Sequence, residues 1–235
     1  LIYRHKNLSH LEDLLRKEEA KGKIVITDTV FSMDGDIAPL PDIYEICRRY
    51  DAILYIDDAH GTGVLGNGKG ALTHFNIKPE RRIIQMGTFS KAFGSFGAFI
   101  AGTRDTTEWI LNIARSFIFS TALPAPVIAA SMAALELLEN GSELIKKLWG
   151  NRNKVVNAIK ETGYDIGGSE TPIIPLKMGS LEKTLRIAAH LYNKGIYAPA
   201  IRPPTVKEPR IRIIVTASHT DEDIERLMEA LKELK

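Results

Sequence analysis

Cysteine is almost absent from this sequence, because Cys47 is the only one among 235 residues. A single thiol excludes a disulfide framework and any zinc site built from several cysteines. Cys47 lies in the run PDIYEICRRY, whose pattern is typical of a helix, and we predict a small buried residue there. The sequence therefore favours a reducing, cytoplasmic location.

Long apolar runs and an excess of one charge are lacking as well. No apolar stretch approaches the roughly 20 residues that cross a bilayer. The 31 basic and 29 acidic residues leave a net charge of +2, and the basic residues are spread along the chain. We therefore predict no membrane and no nucleic-acid partner. Apart from His60, the histidines are scattered along the chain without the spacing of metal ligands, so no metal site is predicted.

The chain opens with LIYRHKN, which contains neither an initiator methionine nor a signal peptide. We expect it to be the interior of a longer protein that is truncated at its N-terminus.

Apolar strands alternate with helical segments in the first part of the chain. The runs KIVITD, AILYID, RIIQMG and GAFIAG are continuously apolar, which favours a mostly parallel sheet covered by helices on both faces. The character changes near Asn140 and Gly141, where a shorter series of strands and helices begins. We predict an α/β protein with a portion of a large domain at residues 1–139 and a small C-terminal α/β domain at 140–235.

Reactive side chains follow three of these strands. Ser32 follows KIVITD, Asp57 ends AILYID and His60 comes after it, and Thr88 and Lys91 follow RIIQMG. Ligands of open α/β sheets bind beyond the carboxyl ends of the strands. The spacing therefore predicts one site that contains a hydroxyl, a carboxylate with a histidine, and a lysine.

Such a set matches the needs of an electron-accepting cofactor such as pyridoxal 5′-phosphate (PLP). Lys91 would hold the cofactor as a Schiff base, and Asp57 would keep the ring nitrogen protonated. Ser32 and His60 are candidates for contact with the ring hydroxyl, and Thr88 for contact with the phosphate.

Two glycine patterns suggest other ligands but do not fit them. The segment GTGVLG, residues 61–66, matches the dinucleotide fingerprint, yet the glycines that follow oppose the helix that this fingerprint requires. The segment GVLGNGKG resembles a phosphate-binding P-loop, but Gly70 stands where serine or threonine must hold magnesium. No G-x-S-x-G sequence is present, which argues against a hydrolase triad.

Five motifs identify the sequence as a member of the α-oxoamine synthases: VFSMDGDIAPL, YIDDAHGTGVLG, GTFSKAFGSFGA, FIFSTALP and RPPTV with RIRIIVTASHT. These fold-type I PLP enzymes condense an amino acid with an acyl thioester and release carbon dioxide. The resemblance covers nearly the whole chain and implies that an N-terminal portion of roughly 150 residues is missing.

The resemblance assigns roles that agree with the chemistry of the residues. Lys91 matches the Schiff-base lysine, Asp57 the partner of the ring nitrogen, and His60 the group at the ring hydroxyl. Ser32 and Thr88 match cofactor contacts.

Two further residues imply an assembly. In this family Ser120 and Thr121 would reach the cofactor phosphate of the neighbouring subunit, which implies a homodimer with shared active sites.

Segments FSTALP and AIRPPTV resemble those of members that join L-alanine to a pimeloyl thioester. Arg202 would pair with a carboxylate on the acyl chain, Arg212 matches the arginine that binds the amino-acid carboxylate, and Thr205 resembles a substrate contact. Three alternatives remain: a synthase that joins glycine to an acetyl thioester, another PLP class such as an aminotransferase or lyase, and a non-catalytic partner subunit.

Overall fold

A computed structural model describes residues 1–234, and the chain divides into two compact units. The first comprises Leu1–Val30 and Ala38–Asn140, and the second comprises Phe31–Ile37 and the chain from Gly141 onwards. The sequence placed all of 1–139 in one domain, whereas the short segment Phe31–Ile37 groups with the second unit.

The first unit contains a four-stranded sheet in the order β1-β2-β3-β4. Strands β1, β2 and β3 are parallel, and β4 is antiparallel to β3. Its strands and helices, in chain order, are α1 (Leu8–Lys17), β1 (Lys23–Asp28), α2 (Leu40–Arg49), β2 (Ala52–Asp57), α3 (Ala71–His74), β3 (Ile83–Thr88), β4 (Ala98–Ala101), α4 (Arg104–Ile113), α5 (Arg115–Ile118) and α6 (Ala125–Asn140).

The direction of β4 follows from the length of its connection. Residues 89–97 join β3 to β4, and a parallel pair requires a crossover of a dozen or more residues. The strand can therefore only turn back along β3. Helices α4 and α5 were not predicted, because no apolar face of theirs is buried: neither contains a buried residue.

Helix α2 shows how the local sequence builds the first unit. Proline at its start suits the first helical turn, where a backbone N–H has no acceptor in the helix. Leu40, Ile43, Ile46 and Cys47 recur at helical spacing and are all buried. The periodic pattern predicts that these residues form one face of the helix and that this face is buried.

The second unit contains a three-stranded sheet in the order β5-β7-β6, with both pairs antiparallel. Its helices pack on a core of aliphatic side chains centred on Ile174, Leu176, Ile211 and Leu191. The elements are α7 (Ser142–Thr162), β5 (Ile173–Lys177), α8 (Leu181–Asn193), β6 (Ala200–Ile201), β7 (Arg210–Ile214) and α9 (Asp221–Lys232).

Helix α9 begins with hydrogen bonds between Thr220 and Asp223. The Thr220 hydroxyl accepts a hydrogen bond from the Asp223 backbone N–H, and the Asp223 carboxylate accepts one from the Thr220 backbone N–H. This reciprocal pair is a capping box, which satisfies two amide groups at the start of the helix.

Across residues 1–234, none of the helices combines the length and apolar composition of a membrane span.

Candidate functional site

The carboxyl ends of the three parallel strands carry polar side chains. Asp28, Asp57 and Thr88 are the last residues of β1, β2 and β3. Parallel strands end at one edge of a sheet, so these residues and those just after them share that edge. Asp57 and Thr88 were predicted at this edge from the sequence. Asp28 was not predicted, although it is the acidic residue that ends the apolar run KIVITD.

Asp57 and His60 are separated by a tight turn after β2. One Asp57 carboxylate oxygen accepts a hydrogen bond of 3.0 Å from the backbone N–H of Ala59. The Thr29 backbone N–H donates to the Asp57 carbonyl oxygen at 2.9 Å, which extends the contact between the ends of β1 and β2. Asp57 and His60 are both half-buried. The structure therefore places both predicted residues on one short, well-anchored turn.

The neighbouring carboxylate of Asp58 is fully buried and organises the glycine-rich loop. It accepts hydrogen bonds from the hydroxyls of Thr29 (2.5 Å) and Thr62 (3.0 Å), from the Gln85 side-chain amide (2.9 Å), and from the Ala71 backbone N–H (3.2 Å). Burial raises the pKa of Asp58, and these four donors oppose that rise. Asp58 is thus a structural group.

Two glycines make room for this carboxylate. A side-chain carbon at Gly61 would lie 2.1 Å from one Asp58 oxygen, and a carbon at Gly70 would lie 2.2 Å from the other. Both distances are far below contact distance. The glycine pattern that resembles a nucleotide-binding sequence is therefore explained by the packing of the loop around Asp58.

Lys91 lies in the closed loop between β3 and β4. The Phe89 backbone N–H donates to the Gly97 carbonyl at 2.9 Å, and the Ser95 N–H donates to the Phe89 carbonyl at 2.8 Å. Lys91 is exposed on this loop, and its ammonium group has no hydrogen-bond or ion-pair partner among residues 1–234. The amine is therefore available to react.

Thr88 is buried at the base of the same loop. Its hydroxyl lies 2.7 Å from that of Ser90 and donates to the Gly97 carbonyl oxygen at 2.9 Å. The side chain thus helps to close the loop that carries Lys91. Its predicted contact with a phosphate remains a prediction.

Helix α6 supports the far side of the loop. The Ser131 hydroxyl, which is buried, donates to the Ser95 hydroxyl at 2.9 Å, and Ser95 donates to the Val127 carbonyl oxygen at 3.0 Å. These contacts were not predicted, because a serine within an apolar helix carries no sequence signal of its partner.

Ser120 and Thr121 lie apart from the strand ends, at the close of α5. Both are exposed, and the Ser120 hydroxyl donates to the Ser116 carbonyl oxygen one helical turn earlier. No hydrogen bond joins either residue to the Lys91 loop within the described part of the chain. Their predicted role requires a second subunit and stays a prediction.

In the second unit, Ser32 lies beside Arg212. The Arg212 Nε donates to the Ser32 carbonyl oxygen at 2.7 Å. Burial lowers the pKa of Arg212. Its terminal nitrogens have no partner among residues 1–234, so this half-buried guanidinium can bind an added carboxylate with both of them.

The segment Phe31–Ile37 is held in the second unit by further contacts. The buried guanidinium of Arg210 donates to the Met33 carbonyl oxygen at 3.1 Å and pairs with Asp34. The Gly35 carbonyl oxygen accepts hydrogen bonds from the Thr171 backbone N–H and hydroxyl. These contacts place Ser32 with β7 rather than with the strand that precedes it in sequence.

Arg202 and Thr205 share one exposed turn after β6. The Thr205 backbone N–H donates to the Arg202 carbonyl oxygen at 3.1 Å, and both side chains are exposed. The structure brings the two predicted acyl-donor contacts together, and their binding role remains a prediction.

A cavity of about 420 Å³ in the first unit is bordered by Phe89 and Phe93, which belong to the loop that carries Lys91. Its lining is mainly apolar, with Phe99, Leu135 and Leu138, and also includes Thr62, Lys69 and Glu139. None of the predicted site residues lines it. In the part of the chain that the structure describes, no cluster of three or more histidine, cysteine or acidic residues is arranged to hold a metal ion.

Comparison with known proteins agrees with the geometry. Residues 3–231 match the family described as aminotransferase class I and II. The putative 8-amino-7-oxononanoate synthase of Thermodesulfovibrio yellowstonii is 52% identical over 232 residues, which are 98% of this chain and 60% of that protein. The chain therefore spans about 60% of the length of this relative.

Two solved structures show the same architecture. A serine palmitoyltransferase from S. paucimobilis with a bound PLP–myriocin aldimine superposes with a TM-score of 0.93 at 26% identity, over 99% of this chain and 60% of that one. The 8-amino-7-oxononanoate synthase of Francisella tularensis superposes with a TM-score of 0.84 at 26% identity, over 98% and 67%. The predicted α-oxoamine synthase resemblance and the fold-type I α/β architecture are confirmed.

Proposed function

Because the chain belongs to the class I and II aminotransferase family, we propose that it is part of a PLP enzyme that condenses L-alanine with a pimeloyl thioester. The reaction releases carbon dioxide and the thiol carrier, either coenzyme A or a carrier protein, and yields 8-amino-7-oxononanoate for biotin synthesis. We place the enzyme in the cytoplasm, as its low cysteine content favours.

One observation carries the proposal most directly: Asp57 ends β2, and the unpartnered amine of Lys91 follows the adjacent strand β3. This donor set fits PLP. A carboxylate is available for the ring nitrogen, and a free amine for its aldehyde carbon. His60, on the turn after Asp57, is the proposed contact of the ring hydroxyl. PLP, when bound, supplies an aromatic ring that accepts electrons from the α-carbon of an amino acid.

The residues of this chain would divide the remaining tasks. Lys91 would hold the cofactor through its amine and would act as the base for the α-proton of the substrate. Asp57 would keep the ring nitrogen protonated, and Ser32 and Thr88 would complete the proposed cofactor contacts.

Arg212 is the proposed binding group for the carboxylate of alanine, because its terminal nitrogens are unpartnered and its Nε is anchored on Ser32. Arg202 and Thr205 are the proposed contacts of the acyl chain.

The cofactor assignment is tested on full-length protein with added PLP. Wild-type protein should show an absorbance band near about 420 nm, and borohydride should fix the cofactor on the peptide that contains Lys91. Lys91→Ala should lack both signals. Lys69→Ala, which removes another exposed lysine of the same unit, should keep both. A wild-type protein without the band and the labelled peptide would refute the assignment.

Substrate choice requires a second experiment. Carbon dioxide and thiol should appear in equal amounts with L-alanine and a pimeloyl thioester. Glycine with acetyl coenzyme A would be preferred instead by a glycine C-acetyltransferase. An aminotransferase would release neither product, and a non-catalytic partner subunit would turn over no substrate.

We further propose a homodimer in which Ser120 and Thr121 reach the cofactor phosphate of the other subunit. Large apolar side chains are exposed on helices α4, α5 and α6 and just after α5, among them Trp109 (64% exposed) and Phe119 (77%). Exposed apolar surface of this kind is typical of a contact with another subunit.

Shared sites make a specific prediction for mixed dimers. Lys91→Ala and Thr121→Ala proteins should each be impaired, and co-refolding them should restore about a quarter of the wild-type sites, since half of the dimers are mixed and each has one intact site. If the co-refolded sample has no more activity than the two variants measured separately and added, the proposal of shared active sites is refuted.

A further inference from the structure

Helix α6 buries a polar side chain, although most of the helix is apolar. Of the described residues 125–140, which form α6, only Ser131 is buried. A hydroxyl that is removed from water is costly unless it is hydrogen-bonded. The contacts of this hydroxyl therefore show what a serine at this position does.

The Ser131 hydroxyl is bonded to the loop that carries Lys91. It donates to the Ser95 hydroxyl at 2.9 Å, and Ser95 donates to the Val127 carbonyl oxygen at 3.0 Å. The Ser131 oxygen itself lies 2.9 Å from the same carbonyl oxygen. The three oxygens form a triangle in which the proton of each hydroxyl has an acceptor, and this triangle joins the loop to α6.

Ser95 also belongs to the hydrogen bonding that closes the loop. Its backbone N–H donates to the Phe89 carbonyl oxygen at 2.8 Å, and the Gly94 N–H donates to the Lys91 carbonyl oxygen at 3.0 Å. Gly94 has a φ of 59°, a left-handed conformation that glycine adopts without strain and that turns the chain between Lys91 and Ser95. Ser95 is therefore held on two sides, by its backbone within the loop and by its hydroxyl on α6.

The position of the Lys91 amine depends on this loop. Lys91 is exposed, and its ammonium group has no hydrogen-bond or ion-pair partner within the described residues 1–234. Its flexible stem adds no constraint of its own, so the loop backbone sets where the amine can reach. Small displacements of a reacting group slow a reaction strongly, and an anchor of the loop therefore bears on the reactivity of the amine.

We propose that Ser131 is a positioning residue for Lys91, which acts by holding Ser95 and thereby fixing the loop on α6. This inference rests on the proposed function of Lys91. Because Ser131 acts through Ser95, its effect requires the Ser95 hydroxyl. In Ser95→Ala protein, loss of the Ser131 hydroxyl should therefore change nothing further.

The first measurement uses full-length protein without cofactor. Hydrogen exchange followed by mass spectrometry reports how well the amides of residues 89–97 are protected. Ser131→Ala and Ser95→Ala should each raise exchange there on the order of threefold, because the loop loses a hydrogen bond to α6. Ser9→Ala, the same change at an exposed serine of α1, should leave it unchanged. Unchanged exchange in Ser131→Ala protein, or an equal rise in Ser9→Ala protein, overturns the proposal.

The second measurement follows the rate at which added PLP produces the band near about 420 nm, as the Lys91 amine forms a C=N bond with the aldehyde carbon and releases water. Ser131→Ala should lower the maximal rate on the order of fivefold, as the loss of one hydrogen bond allows. The PLP concentration that gives half of this rate should stay unchanged, because Ser131 is not a proposed cofactor contact. A loss of stability alone would not produce this split in folded protein.

The double variant tests the route through Ser95. Adding Ser131→Ala to Ser95→Ala protein should cause no further slowing. A wild-type maximal rate in folded Ser131→Ala protein, or an equal slowing by Ser131→Ala with and without the Ser95 hydroxyl, overturns the proposal. Wild-type protein that forms no band refutes the cofactor assignment instead, and the exchange measurement, which omits PLP, then still decides whether Ser131 holds the loop.

Discussion

The Nε of Arg212 donates a 2.7 Å hydrogen bond to the carbonyl oxygen of Ser32, although 180 positions separate the two residues. This contact fixes the plane of the guanidinium and leaves its two terminal nitrogens without a partner in the described chain. A planar group that is anchored at one edge and free at the other is well suited to grip a carboxylate.

Replacing this arginine by lysine should weaken binding of the amino acid. Arg212→Lys removes both the anchor and the two-point contact, which is worth roughly 1.5–3 kcal/mol, or about ten- to a hundredfold in KM for alanine. Cofactor absorbance should be retained. Steady-state kinetics of the full-length enzyme check this, with Arg186→Lys, a change at an exposed residue of helix α8, as the control. A KM within twofold of wild type would exclude the assigned contact.

Loss of the Asp58 carboxylate should destabilise the first unit. Asp58→Ala leaves four donors without their acceptor in a buried position, at a cost of roughly 2–4 kcal/mol in the free energy of unfolding. Asp58→Asn should cost less, because its amide keeps the size and one acceptor oxygen. Denaturant unfolding of full-length protein measures both. Equal stability of Asp58→Ala and wild type would contradict the structural role.

The thiol of Cys47 should be inert in the folded protein. Burial raises its pKa to about 12, so almost none of the reactive thiolate exists at neutral pH. Alkylation with iodoacetamide at pH 8, followed by peptide mass spectrometry, should leave Cys47 unmodified in native protein and modify it in denaturant. Rapid native labelling would show that α2 does not protect this side chain.

The start of helix α9 should respond to acid. Hydrogen bonds from Thr220 lower the pKa of Asp223 below its ordinary value of 3.8, so its ionised form stabilises the fold. That contribution is complete above the ordinary carboxyl pKa and is lost as the pH falls through the lowered native value.

Asp223→Asn should therefore be less stable than wild type at pH 7, and the difference should shrink as the pH approaches 3 and below. Thermal unfolding across this range provides the measurement, with Glu222→Gln, a neighbouring acidic residue of the same helical turn, as the control. A pH-independent difference would contradict the capping interaction as its source.

Much of the first unit could be predicted because its signals are local. The strand KIVITD begins and ends where the sequence places it, at Lys23 and Asp28, because a short apolar run of β-branched residues between polar residues favours a strand. The same holds for Ala52–Asp57. Since the chain order of the strands sets which side chains follow them, the positions of Asp57 and Lys91 at the ends of adjacent strands could be predicted from the sequence.

Contacts between distant residues could not be predicted in this way. The four donors to Asp58 come from separate loops and strands, and the partners of Ser131 and Arg212 follow from packing alone. Asp28 was missed because one acidic residue at a strand end is common, and only the register shows that it lies beside Asp57.

The sequence by itself determined the longer strands, most of the helices and the family, and it predicted a reactive lysine, because each depends on neighbouring residues or on motifs. Only the tertiary structure decided that β4 runs antiparallel, that Phe31–Ile37 joins the second unit, and which carboxylates are buried, bonded or unpaired. These features depend on which chain segments meet across long sequence separations, and no local pattern encodes that information.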